Sequence, residues 1–156
     1  RLGAEATGDG DRLLEQFDRL LPFAERGREA QEAGADGLMI GRGAQGYPWI
    51  FRELNHYLET GEHLPPPSVD EVYAVITRHL AELHEFYGDL HGVRVARKHL
   101  RWYLKERPHS EQVLYDLMRT ESAQEQFHLL ERYFLETTGT APKAPREGAD
   151  KGAELT

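Results

Sequence analysis

Apolar positions recur every three or four residues in four stretches of the second half of the chain. Val72, Val75, Ile76, Leu80, Leu83 and Phe86 share one face of a predicted helix. Ser68-Val-Asp-Glu71 ahead of them is a capping-box pattern, in which hydroxyl and carboxylate satisfy free N–H groups, and Gly88 closes the helix. Val95, Ala96, Leu100, Tyr103 and Leu104 mark a second helix over 92–105, stopped by Pro108. A shorter third starts at Ser110 and carries Val113, Leu114 and Leu117. A fourth, over 121–136, carries Phe127, Leu129, Leu130, Tyr133 and Phe134. Four helices joined by short loops predict an antiparallel four-helix bundle over 68–137.

The first half reads differently. Leu13, Leu14, Phe17, Leu20, Leu21 and Ala24 recur at helical spacing, so a helix is expected to about Ala33. Leu38, Met39 and Ile40 then form an apolar run between turn signals, too short for a helix and suited to a buried parallel strand. Residues 48–60 predict another helix, with Pro48 in its first turn and Gly61 beyond its end. Helix, strand, loop and helix make half of an α/β repeat. Pro65, Pro66 and Pro67 are a stiff connector and the expected boundary between two domains. Residues 138–156 hold one large apolar residue, Leu155, and predict a disordered tail.

Between the strand and the helix at 48–60, Gly41, Gly43 and Gly46 form a loop whose backbone is open to close approach. A helix N-terminus after such a loop offers N–H groups to an anion, and Arg42 adds a fixed charge with a forked donor. The loop is equally compatible with a tight turn carrying a surface arginine. In the second helical stretch of the bundle, Arg94, Arg97, Lys98, Arg101 and Lys105 fall within about 100° of arc. The plain reading is a solvated charged face. Against it, Glu106 is the one acid within residues 92–107, and the chain as a whole carries a net charge of −8. A cationic stripe in an acidic chain is suited to phosphate, and hence to nucleic acid. Trp102 and Tyr103 can stack on bases or pack at the edge of the core. His99 has no partner identifiable from sequence, which favours a structural role.

Composition narrows the field. Hydrophobic residues make up 39% and charged residues 29%, as in soluble globular proteins. Apolar runs are too short to span a bilayer, and Arg1 opens a polar segment unlike a secretory signal. The absence of Met at position 1 points to an excised sequence. No cysteine is present, so disulfides and thiolate metal sites are excluded. Eight histidines include no pair at zinc-helix spacing with a third ligand nearby, and no metal is expected.

Residues 34–51, with Ile40-Gly-Arg-Gly-Ala-Gln-Gly-Tyr-Pro-Trp-Ile-Phe51 at their centre, resemble the end of the flavin-binding barrel of bacterial tRNA-dihydrouridine synthases of the B-type subfamily. Arg94-x-x-Arg97-Lys98-His99 followed by Trp102-Tyr103 resembles the signature of that family's helical tRNA-binding domain, and the likeness runs to about Leu135. The resemblance implies a mostly α chain: an α/β fragment at 1–64, the last strand and helices of a TIM barrel, then the linker at 65–67 and the bundle. It implies FMN, with its phosphate at Gly41 and Arg42, and NADPH as reductant. It implies tRNA as partner, at Arg94, Arg97, Lys98 and Arg101, and a cytoplasmic enzyme that reduces uridine to 5,6-dihydrouridine. The family's protonating cysteine has no counterpart here, so a fragment inactive alone is expected. Residues 1–33 depart from the pattern. Gly8-Asp9 only echoes the family's Asn-Gly-Asp turn and receives no flavin role. Two alternatives stand beside this reading, a non-catalytic RNA-binding module and a different phosphate-binding barrel enzyme.

Overall fold

The computed structural model describes residues 22–30 and 32–139. The start of the first predicted helix, the Gly8-Asp9 echo and the tail after Gly139 lie outside the described residues. The chain divides after Pro67 into two compact units.

In the first unit, residues 22–30 are helical (α1), Arg42–Ala44 form one 3-10 turn, and α2 spans Ile50–Thr60. Ala24, Ile50 and Leu54 make a small core, with Phe23, Ile40, Tyr57 and Leu58 packed against it. Gly61 ends α2 in the left-handed region, at φ 75°, donating its N–H to the Tyr57 carbonyl. The Arg28 guanidinium hydrogen-bonds the Tyr57 hydroxyl and lies over its ring.

The expected strand at Leu38–Ile40 is absent, as is any strand among the described residues. Met39 is 98% exposed and Leu38 40%, and of the three Ile40 packs against the small core. A parallel strand is stable when neighbouring strands pair its backbone and helices cover both faces. The described residues supply no partner strand, so an apolar run with strand composition stays unpaired.

The second unit contains α3 (Val69–Tyr87), α4 (Asp89–Leu104), α5 (Glu111–Leu117) and α6 (Ala123–Thr138). The Ser68 hydroxyl accepts from the Glu71 N–H at 3.2 Å, as the capping pattern predicts, and Ser122 caps α6 the same way through Glu125. Val72, Ile76 and Leu80 of α3 meet Val93, Ala96, Leu100 and Leu104 of α4 in the core. Val113 and Leu117 of α5 and Leu129, Leu130 and Phe134 of α6 complete it. The Tyr133 hydroxyl ties α6 to the loop before α5 by donating to the Pro108 carbonyl at 2.8 Å.

Helix α4 corrects two expectations. It starts at Asp89, three residues before Gly92, and it buries Val93 where Val95 was expected. Gly92 is a packing residue. A Cβ there would lie 2.9 Å from the His84 Cα and 2.9 Å from the Leu83 carbonyl oxygen, both backbone atoms of α3. Beside that contact, the His84 Nε2 lies 2.9 Å from the Gln126 Oε1, and the Gln126 amide donates to the Val93 carbonyl at 3.1 Å. One buried chain of hydrogen bonds therefore links α3, α6 and α4.

Replacing Gly92 with Ala should destabilise the protein despite alanine's better helix propensity. Overpacking against backbone costs about 1–3 kcal/mol, against about 1 kcal/mol gained from propensity. Urea unfolding of both forms checks this; a variant as stable as the parent would show that α3 and α4 can separate without loss.

Candidate nucleotide and RNA-phosphate sites

The loop after Ile40 is only partly free for a ligand. Gly41 is exposed, and a Cβ built on it meets nothing within 4 Å. Arg42 is exposed beside it. Gly43 is different: a Cβ there would lie 2.3 Å from the Phe23 Cζ, so the room left by its missing side chain is filled by that ring. Gly46 serves a turn, with φ 76°.

The start of α2 also corrects an expectation. Pro48 and Trp49 form a turn before the helix, and α2 begins at Ile50. The N–H groups of Ile50, Phe51 and Glu53 already donate to the carbonyls of Tyr47, Pro48 and Trp49. Glu53, 1% exposed, stands in the first turn, where a carboxylate is favoured by the helix dipole, and accepts from the Tyr47 hydroxyl at 2.8 Å. This N-terminus carries its own buried carboxyl group. Of the loop residues considered for an anion, Gly41 and Arg42 are the ones left open and exposed.

Helix α4 turns its basic stripe away from the core, but its five cations are not equivalent. Arg101 is exposed, and no hydrogen bond or ion pair engages its guanidinium among the described residues. Lys98 is exposed and lies 5.7 Å from the centre of the Trp102 ring. Arg94 pairs with Glu121 at 3.2 Å, both side chains more than half exposed. Lys105 pairs with Glu106 at 3.3 Å. Arg97 is half-buried: its Nη2 donates to the Thr120 carbonyl at 3.0 Å, while its Nε is buried without a partner. Glu121 and Thr120 belong to the α5–α6 turn, so tertiary partners supply what local spacing could not show. Arg97 stands four residues after Val93 and three before Leu100, both in the core. That spacing was the available signal that it faces protein rather than solvent.

On the opposite edge of α4, His99 meets α3. Its ring lies 4.8 Å from that of His79 and 5.1 Å from that of Trp102, centre to centre. The His79 Nδ1 is 3.2 Å from the Tyr103 hydroxyl. Trp102 and Tyr103 are both half-buried, boundary residues as their composition allows. Burial lowers the pKa of His79, opposed by Glu82. Burial lowers that of His99 too, followed by the nearby charges of His79 and Lys98.

Among the described residues, no group of three or more His, Asp or Glu is placed to hold a metal ion. No described helix is long and apolar enough to cross a membrane.

An open Gly-Arg turn in one unit and a cationic helix in a separate helical unit define a protein with two candidate phosphate-contacting surfaces. The family described as dihydrouridine synthase matches residues 24–138, across both units, and the chain belongs to that family. Its relatives include the tRNA-dihydrouridine synthase B of Pseudomonas putida, 62% identical over 85 residues, covering 54% of this chain and 25% of the relative. Those of Proteus vulgaris and Escherichia coli K12 are each 54% identical over 101 residues, or 65% of this chain. The chain covers 31% and 32% of those two, so it spans about a quarter to a third of the length of the curated relatives it matches.

The histidine pair gives a pH signature. Folding lowers both pKa values below the ordinary 6.5, so between the folded and unfolded values the unfolded chain binds more protons. The stability from neutral His79 and His99 is complete above 6.5 and is lost as pH falls through the folded values. Unfolding measured from pH 7.5 down to about 5.5 should show this loss. The double substitution His79→Gln, His99→Gln should flatten the profile, and an unchanged slope would place the titration elsewhere.

Proposed function

We propose that these residues work as the C-terminal part of a flavin-dependent tRNA-dihydrouridine synthase, a cytoplasmic oxidoreductase that reduces uridine in tRNA with NADPH as donor. The observation that carries this reading is the family match across both the Gly-Arg turn and the basic helix. Residues up to 64 then form the end of a TIM barrel, 65–67 the connector and 68–137 a helical tRNA-binding domain built as a four-helix bundle. The exposed Leu38 and Met39 are the side chains that neighbouring barrel strands and helices would cover.

The residues present fit the phosphate end of FMN. Gly41 leaves the backbone approachable and Arg42 brings an exposed guanidinium, whereas the α2 N-terminus is already engaged. The chemistry that reduced flavin supplies when bound is hydride delivery to a uracil ring. This chain's part is to hold the phosphate through Gly41 and Arg42 and to position tRNA through Arg94, Arg97, Lys98 and Arg101. Of these, Arg101 and Lys98 present the most open charge, and Arg97 acts mainly by holding the α5–α6 turn.

A second reading, an RNA-binding module without catalysis, is favoured by one fact: the chain contains no cysteine to serve as the family's ring-protonating acid. Both readings predict that the 156 residues alone form no dihydrouridine from a tRNA transcript with FMN and NADPH. Product formation by the purified chain would overturn the second reading and the expectation that these residues are inactive alone.

In a full-length synthase carrying this segment, Arg42→Ala should weaken FMN retention about ten- to a hundredfold and leave riboflavin binding nearly unchanged. A charge-assisted contact contributes about 1.5–3 kcal/mol, and riboflavin has no phosphate to lose. Equal flavin occupancy of both forms after dialysis would remove Arg42 from the phosphate site.

On the RNA side, titration of tRNA at several salt concentrations tests the basic face. Arg101→Gln should reduce the slope of log affinity against log salt by just under about one unit and leave helicity unchanged. Arg97→Gln should instead lower thermal stability, because it releases the Thr120 carbonyl. An unchanged slope for Arg101→Gln would move the RNA contact off α4.

A further inference from the structure

The cationic edge of α4 does not end on α4. Through Arg97 and Arg94 it is fastened to the α5–α6 turn at Thr120 and Glu121. The residue just before that turn's anchor, Arg119, lies over an aromatic ring: its Cζ is 3.5 Å from the centre of the Tyr115 ring, and its Nη1 donates to the Tyr115 carbonyl at 3.4 Å. Tyr115 is 53% exposed, and Arg119 is exposed as well. Elsewhere in this unit, Tyr73 and Tyr133 are buried and Tyr103 is half-buried. Tyr87, the other exposed tyrosine of the unit, lies beside Phe86 and His91, at the α3–α4 corner and among Glu85 and Asp89.

We propose that the stacked pair Tyr115–Arg119 is a platform for one unpaired RNA base, placed beside the phosphate-binding face of α4 by the Arg97–Thr120 contact. The inference rests on the reading of α4 as an RNA-phosphate surface. Three observations carry it. The pair exposes a phenol and a guanidinium, planar groups of the kind on which unstacked bases lie. The guanidinium fixes the ring beforehand, so little side-chain freedom is lost when a base arrives. Two acids close to the pair in sequence are already matched, Asp116 by Arg132 at 3.8 Å and Gln112 at 3.2 Å, and Glu121 by Arg94. Arg97 is a positioning residue here, because it acts on the platform through Thr120.

The test uses the 156-residue chain, an unmodified tRNA transcript and a blunt-ended RNA duplex. Stacking is read as affinity that depends on an unpaired base and is insensitive to salt. Tyr115→Ala should lower affinity for the transcript about five- to a hundredfold. It should change duplex affinity by less than about twofold and leave the salt slope unaltered, since no counterion is displaced by a phenol. Tyr115→Phe should retain the parent's affinity, because the ring and not the hydroxyl supplies the surface. If circular dichroism shows that the alanine variant loses helix, Tyr115→Leu, which keeps apolar bulk without a π face, makes the same comparison with phenylalanine. The platform is overturned if removing the ring leaves transcript binding intact, weakens transcript and duplex alike, or is matched in effect by phenylalanine. The underlying reading fails separately: Arg101→Gln then leaves the salt slope unchanged while Tyr115→Ala still discriminates. A parent chain that binds neither RNA overturns both.

Discussion

The close approach of α3 and α4 at Gly92 is the constraint on which the second unit depends. Apolar packing alone is non-directional and would accept several registers of the two helices. Gly92 removes the Cβ that would hold the backbones apart, and the two helices meet at the His84 Cα and the Leu83 carbonyl. At that distance His84 and Gln126 complete one hydrogen-bonded chain to the Val93 carbonyl. A buried polar group left without its partner costs about 1–3 kcal/mol, so a slipped register would be penalised beyond its lost apolar contact. Since the Gln126 amide donates to Val93, its oxygen faces His84, whose Nε2 must then carry the proton; the His84 Nδ1 is left buried without a partner.

Fixing α4 in rotation also decides what its cations can do. With Val93 and Leu100 in the core, Arg97 lies about 40° around the helix from Val93, Arg101 about 80° and Lys98 about 140°. The charge nearest the core therefore bonds to a carbonyl of the next turn, and those further round are left to solvent. One helix thus serves both as a packing element and as a charged surface, and the boundary between the two roles passes through a single arginine.

What the sequence revealed follows the range of the interactions involved. The helices of the second unit, the Ser68 cap and the terminating Gly61 and Gly88 depend on neighbours within a turn or so, and they were legible. The start of α4 was misplaced because Gly92 looks locally like a helix boundary, whereas its reason lies on α3, eight residues back. The strand at Leu38–Ile40 was expected from composition, which reports what a segment suits and not whether its neighbours are present. In the candidate sites, Gly41 and Arg42 were legible as an open, charged turn. That Phe23 fills the space at Gly43, and that Glu53 and Tyr47 complete the α2 N-terminus, were not, because each depends on a side chain distant in sequence or on a turn geometry the spacing leaves open. Equally, counting acids within residues 92–107 missed Glu121, a partner 27 residues from Arg94.

A chain of net charge −8 can still present a local cationic surface. Screening at physiological ionic strength limits the reach of an exposed charge to about 8 Å, so what a phosphate meets is the local arrangement and not the sum. On α4 the local arrangement is graded. Glu121 draws on Arg94 and Glu106 on Lys105, both in exposed pairs of the kind that contribute at most about 1 kcal/mol. Such pairs can exchange partners at little cost: a phosphate approaching Arg94 competes with one solvated carboxylate and not with a buried bond. Arg97, held at a carbonyl and half-buried, cannot exchange in this way without opening the α5–α6 turn. Toward a polyanion, the acids of these pairs would act as a mild filter, weakening diffuse attraction while leaving charge available to a ligand that engages several cations at once.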